Sequence, residues 1–252
     1  MKKAICSLLT LCMLLSMPVF ATSDNMKATI QPQDIEYLSF EQIVEINNAL
    51  LEFAQTNPDA NESVLDQFVM QQMEYYADFI YFNKQYGIST YGDSMGLRLN
   101  DAEKELANQH PSQATVYMEV SLVARKEALN RYTEASCWWS GNGDAFRHTY
   151  WSASMMKRFH DVFQWDVTTC GNTTWTWTDA HEQDGETWGV DHEMDVLNNS
   201  AGRNIGYDYY TRTEGEILGE VQRYVDEGIC FRVGEDASGN RVLARTFDGE
   251  KN

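Results

Sequence analysis

Apolar residues recur at three- and four-residue spacing along most of the chain, the spacing of helices with one buried stripe. Ser39 with Gln42 forms a capping box ahead of "FEQIVEINNALLEFAQTN", and Pro58 ends that helix. A second helix, rich in aromatics and methionine, is predicted over 63–85. "YGISTYGDSMGLRL" reads as a glycine-punctuated loop. Asn100 with Glu103 opens a short helix, and Pro111–Ser112 opens a long one reaching about Thr133. After the break at "SCWWSGNG", Asn142 and Gly143 lead into a helix ending near His160. "WDVTTCGNTTWTWTDAHEQDG" reads as irregular, with a short helix over 175–183. Two more helices are predicted over 191–206 and 213–227. Beyond them the period shortens: "ICFRV", a turn through "DASGN" and "RVLARTF" form a hairpin. The expected fold is mainly α, a single multi-helix domain with a small C-terminal β-hairpin.

The first residues change this picture. Lys2 and Lys3, an apolar run to about Met17 and "PVFA" form an export signal over 1–21. No later run is long and apolar enough to span a membrane. The expected organisation is this signal, a helical extension over 22–97, a core helical domain over 98–228, and a hairpin and tail over 229–252. The chain is thus expected to be periplasmic or secreted. With 38 acidic and 19 basic residues it carries a net charge of −19. Such a surface repels nucleic acid and anionic lipid. Cys137, Cys170 and Cys230 lie beyond the signal, and export permits one disulfide. Cys137 and Cys170 flank the central motif and are the expected pair, contributing about 3–4 kcal/mol.

That motif is "NGDAFRHTYW". Its helix is apolar most of the way round, as a central helix must be. Asp144 and His148, four apart, share one stripe, with Arg147 beside them. Buried charges need partners or a metal. Partners are available in "DHEMDVLNNSAGR", where His192, Asp195, Asn199, Gly202 and Arg203 share a face. Periodicity leaves that face free to look outward, the commoner arrangement, or inward at Asp144 and His148. If it looks inward, Gly202 lets another backbone approach. His181 and Glu182 come from "DAHE". A divalent ion such as zinc or manganese suits His148, His181, Asp144 and Asp195. Without metal, His148 or His181 becomes a general base oriented by a carboxylate.

Two local motifs fail. His181–Glu182 lacks the second histidine of H-E-x-x-H, because Gly185 stands at that position. "GDSMG" matches G-x-S-x-G at Ser94, but no strand-to-helix turn surrounds it. Trp138, Trp139, Trp175, Trp177 and Trp188 border the polar motifs, where they could stack on a substrate or fill the core.

In order, "NDAEKELANQHPSQA", "NGDAFRHTYWSA", "AHE" and "EMDVLNNSAGRNIG" resemble a family of exported or wall-associated bacterial proteins carrying a domain of unknown function. The chain is also similar to modules at the ends of large bacterial surface and toxin-like proteins. The resemblance spans roughly residues 98–206 and implies a helical fold with a shared polar centre, but no reaction. Leu197 stands where members often have histidine, so that position is no essential ligand here. The expected function is an exported hydrolase of cell-envelope or extracellular material. His148 would be the base or a metal ligand, with Asp144 and Asp195 orienting it or sharing the metal. Glu182, His181 and Asn199 would complete the centre, and Arg147 or Arg203 would stabilise developing negative charge. The competing expectation is a non-catalytic envelope module whose polar cluster is a packing network.

Overall fold

The computed structural model describes residues 29–88, 98–138, 140–184 and 189–247. The expected export signal, the Ser94 loop, Trp139 and Trp188 lie outside the described residues. The chain is mainly helical. A 3-10 turn, Pro32–Tyr37, precedes α1 (Phe40–Thr56), α2 (Glu62–Tyr75), α3 (Ala77–Tyr86) and α4 (Asp101–Gln109). Then come α5 (Pro111–Leu129), α6 (Glu134–Trp138), α7 (Asn142–Phe163) and α8 (Val167–His181). A short 3-10 turn, Glu182–Asp184, leads on to α9 (Val190–Tyr209) and α10 (Glu214–Asp226). Strands β1 (Phe231–Glu235) and β2 (Arg241–Arg245) close the fold as the expected hairpin. No described helix is long and apolar enough to cross a membrane.

The capping boxes at Ser39 and Asn100 form as the sequence predicts. Elsewhere the structure departs from it. The predicted helix over 63–85 is two helices that break at Tyr76, whose hydroxyl donates to Glu45 Oε2 at 2.7 Å. The predicted long helix stops at Leu129, and α6 fills part of the expected break. The largest difference is α8, expected to be mostly irregular. Asp166 caps it by accepting from Thr168 and Thr169 N–H at 2.9 and 3.1 Å. Its buried residues are Cys170, Gly171, Thr174, Trp177, Thr178 and Ala180. These keep helical spacing, but apart from Trp177 they are small or hydroxyl side chains in place of the aliphatic ones that mark a core stripe.

One hydrophobic cluster runs from Ile30 to Cys230. Helix α7 is its axis and packs against α5, α6, α8, α9, α10 and β1. Phe146, Ala153, Met155, Met156 and Phe159 are fully buried on its several sides. Its first turn is completed by Ser136 Oγ, which accepts from Gly143 N–H at 2.9 Å.

The cysteine pairing is a correction. Cys137, Cys170 and Cys230 are all free and buried. Cys170 Sγ faces the Trp165 carbonyl at 3.6 Å, and Cys230 Sγ faces Thr149 Oγ1 at 3.4 Å. Cys137 packs beside Gly143 at the opposite end of α7 from Trp165. Flanking a helix of 22 residues therefore sets Cys137 and Cys170 apart rather than together.

A two-stranded hairpin is marginal alone, so its anchor matters. Asn198 grips it with both ends of its amide: Nδ2 donates to Phe231 O at 2.8 Å, and Oδ1 accepts from Phe231 N–H at 2.9 Å. Asn198→Ala removes both bonds and should cost about 2 kcal/mol in urea unfolding. A loss below about 0.5 kcal/mol would place the anchor elsewhere.

Candidate active site

The polar face of α9 looks inward. Asp195 Oδ1 lies 3.1 Å from His148 Nε2. Asn199 is buried, with Oδ1 accepting from Ser152 Oγ at 3.1 Å and Nδ2 donating to Glu182 Oε1 at 2.9 Å. Gly202 permits this approach: a Cβ there would lie 2.2 Å from the Thr149 carbonyl oxygen of α7. The helix is buried on a second side as well, through Met194, Asn198 and Ile205. That is why hydrophobic periodicity alone leaves its orientation open.

His148 is the floor of the cluster, 1% exposed. Burial first, and the neighbouring Arg147 guanidinium second, push it well below the ordinary histidine value. It is therefore neutral. Arg147 Nη2 approaches His148 Nε2 at 2.7 Å, so that nitrogen accepts and the ring proton belongs on Nδ1. Nδ1 itself is 3.7 Å from Glu182 Oε1, too far for a hydrogen bond. Arg147 also donates to Asp144 Oδ1 through both Nε, at 3.1 Å, and Nη2. Burial raises Glu182. Burial, then the carboxylates of Asp144 and Glu182, push Asp195 up to about 9. Three carboxyl groups thus share a small enclosed volume with one guanidinium.

His181 stands in a different relation. Its Nδ1 is 2.7 Å from Glu103 Oε1. Glu103 is buried, accepts from the fully buried Tyr117 hydroxyl, and takes the Asn100 N–H on Oε2 at 2.6 Å. The Asn100 side chain donates to the carbonyls of Ala180 and His181 at 2.8 and 3.1 Å, tying the N-cap of α4 to the end of α8. Burial alone would raise Glu103, but the hydrogen bond and charge of His181 bring it below the ordinary glutamate value. Burial likewise lowers His181, and Glu103 outweighs it, leaving His181 above the ordinary value. The ring sits edge-on to Trp151, with centroids 4.9 Å apart, and 6.3 Å from the His148 ring. Its side chain is 32% exposed, against 1% for His148.

A family model for a domain of unknown function (DUF6973) matches residues 104–229. The chain belongs to this family. No curated protein and no solved structure matches the chain. The DUF6973 segment begins directly after Glu103 and takes in α5 to α10 whole, with Asp144, Arg147, His148, His181, Glu182, Asp195 and Asn199.

Of the residues expected to form the centre, Asp144, Arg147, His148, Glu182, Asp195 and Asn199 come together. Arg203 does not join them by any direct bond; its Nη1 donates to Thr178 Oγ1 at 3.3 Å. Of the expected metal ligands, Asp144, His148 and Asp195 each offer an atom within 4.8 Å of the others. His181 turns its Nδ1 to Glu103 instead. Trp177 is core, with Nε1 donating to Gln113 Oε1 at 2.9 Å, while Trp175 is 56% exposed. The sequence reading missed Glu103 and Tyr117. Glu103 carried a signal, the capping box with Asn100, but that signal explains only one of its two oxygens.

Proposed function

We propose that this chain is an exported hydrolase of cell-envelope or extracellular material, with His181 as its general acid–base residue. The Glu103–His181 dyad carries the reading. A buried carboxylate holds Nδ1 and fixes the ring, and solvent reaches the imidazole. That is the layout required of a positioned proton-transfer group. His148 is too enclosed for the role first expected of it. Arg147, 16% exposed in its side chain, is the cation placed to stabilise negative charge developing on a substrate. The basic head and apolar run over 1–21 support export.

The test is hydrolysis of purified cell-wall material and of chromogenic phosphoester, carboxylester and glycoside substrates by the full chain. His181→Gln should lower turnover by about 100-fold or more, the usual contribution of a general base. A turnover unchanged in His181→Gln, or no turnover on any of the four classes, would overturn the reading.

The burial of His148, Asp144 and Asn199 favours a second reading, a binding module whose polar cluster fixes helix packing. In that case the His148 and Asp144 variants lose stability, and no substrate of any class is turned over.

A further inference from the structure

Asp144, His148 and Asp195 each bring a ligand atom within 4.8 Å of the others between α7 and α9. Two edges of this triangle are 3.6 Å, from His148 to Asp144, and 3.1 Å, from His148 to Asp195. Four ligands at about 2.0–2.1 Å around a tetrahedral zinc ion stand about 3.3–3.4 Å apart. The observed edges straddle that value. Moreover, Asp195 Oδ1 is enclosed and accepts no hydrogen bond, although His148 Nε2 is so near. The lone pair of that nitrogen is already committed to Arg147. Two acceptor atoms thus face one another at 3.1 Å, an arrangement relieved by a proton on Asp195, whose affinity burial raises, or by a cation held between them.

Arg147 supplies part of that charge. Its Nη2 bridges Asp144 Oδ1 and His148 Nε2, two of the three donors. Its bonds to these two leave Asp195 Oδ1 unanswered. We propose that Asp144, His148 and Asp195 form a zinc site that Arg147 closes, its guanidinium holding two of the donors until the ion displaces it toward solvent. The partial exposure of Arg147 gives it somewhere to go. One nitrogen and two carboxylate oxygens match zinc, and three protein ligands leave a fourth position for water, as in catalytic sites. Glu182 Oε1 lies 3.7 Å from His148 Nδ1, so it would have to close on that nitrogen to orient a ligating imidazole. The use of such an ion in hydrolysis rests on the preceding reading; its binding does not.

Calorimetric titration of zinc chloride into the chelator-treated full chain tests the proposal. One ion per chain is expected. Asp195→Asn should weaken binding by about 100-fold, more than the loss of a supporting residue alone. Arg147→Met should tighten it by about tenfold, because the donors no longer have to be vacated first. If Arg147→Met is unstable without metal, Arg147→Lys, whose ammonium cannot reproduce the planar fork, serves the same comparison. A melt with and without zinc then reads binding as a rise in Tm. Three results would each overturn the proposal: no saturable site in wild type and Arg147 variants, undiminished affinity in Asp195→Asn, or no gain on replacing Arg147. Zinc bound as expected but without hydrolysis of any substrate would sink the hydrolase reading alone.

Discussion

Gly202→Ala is expected to destabilise the protein by about 2–3 kcal/mol, although alanine is the better helix former by about 1 kcal/mol. The added Cβ would stand 2.2 Å from Thr149 O, 2.7 Å from Ser152 Cβ and 3.0 Å from the Thr149 carbonyl carbon. Two of these are backbone atoms in the middle of α7, a helix fixed by neighbours on every side. They cannot yield as a side-chain end would. The relief available is for α9 to move away from α7. Asp195 and Asn199 lie on the same face of α9, so that movement lengthens the contacts of Asp195 with His148 and of Asn199 with Ser152. Urea unfolding reads the first effect and zinc titration the second. Gly215→Ala in α10, where nothing lies within 4 Å of the new Cβ, is the control and should be neutral or slightly stabilising. If Gly202→Ala is as stable as that control, the helices are not held at this distance by the missing side chain.

The same glycine shows what was legible in the sequence. An α7 apolar on all sides must be central, and its Asp144, Arg147 and His148 must then find partners. The face of α9 carrying Asp195, Asn199 and Gly202 was the candidate with the right chemistry and a gap for close approach. Helical periodicity could not decide whether it faced in, because α9 is buried on two sides. Other features leave no periodic trace. Glu103 and His181 meet because a cap on α4 is tied to the last carbonyls of α8, a tertiary contact that neither stretch encodes alone. Helix α8 was hidden because most of its stripe is Cys, Gly and Thr, residues whose helix propensity is low and whose burial is decided by neighbours. The cysteine pairing failed for a related reason: neighbourhood in sequence was taken for neighbourhood in space across a rigid helix.

Removing Glu103 tests the other half of the site. Glu103→Ala should cost about 3 kcal/mol, the low end for breaking a buried pair, since one third of the His181 side chain is exposed and solvent screens it. The Tyr117 hydroxyl, the Asn100 N–H and the His181 ring all lose their acceptor together. Glu103→Gln keeps the shape and removes the charge, so its deficit should depend on pH. Glu103 is depressed below its ordinary value of 4.5, so its contribution is present above that value and is lost as pH falls through the folded-state pKa. His181 is raised above 6.5, so its contribution is complete below 6.5 and is lost as pH rises through its folded-state pKa. The stability gap between wild type and Glu103→Gln should therefore be widest between pH 4.5 and 6.5 and narrow on both sides. Denaturant unfolding across that range measures it, and the titration of the His181 ring by NMR should move to lower pH in the variant. A gap that stays flat across the range would mean that no ion pair joins these residues. The imidazole would then hold its place by packing against Trp151, and it would have no carboxylate to tune it for proton transfer.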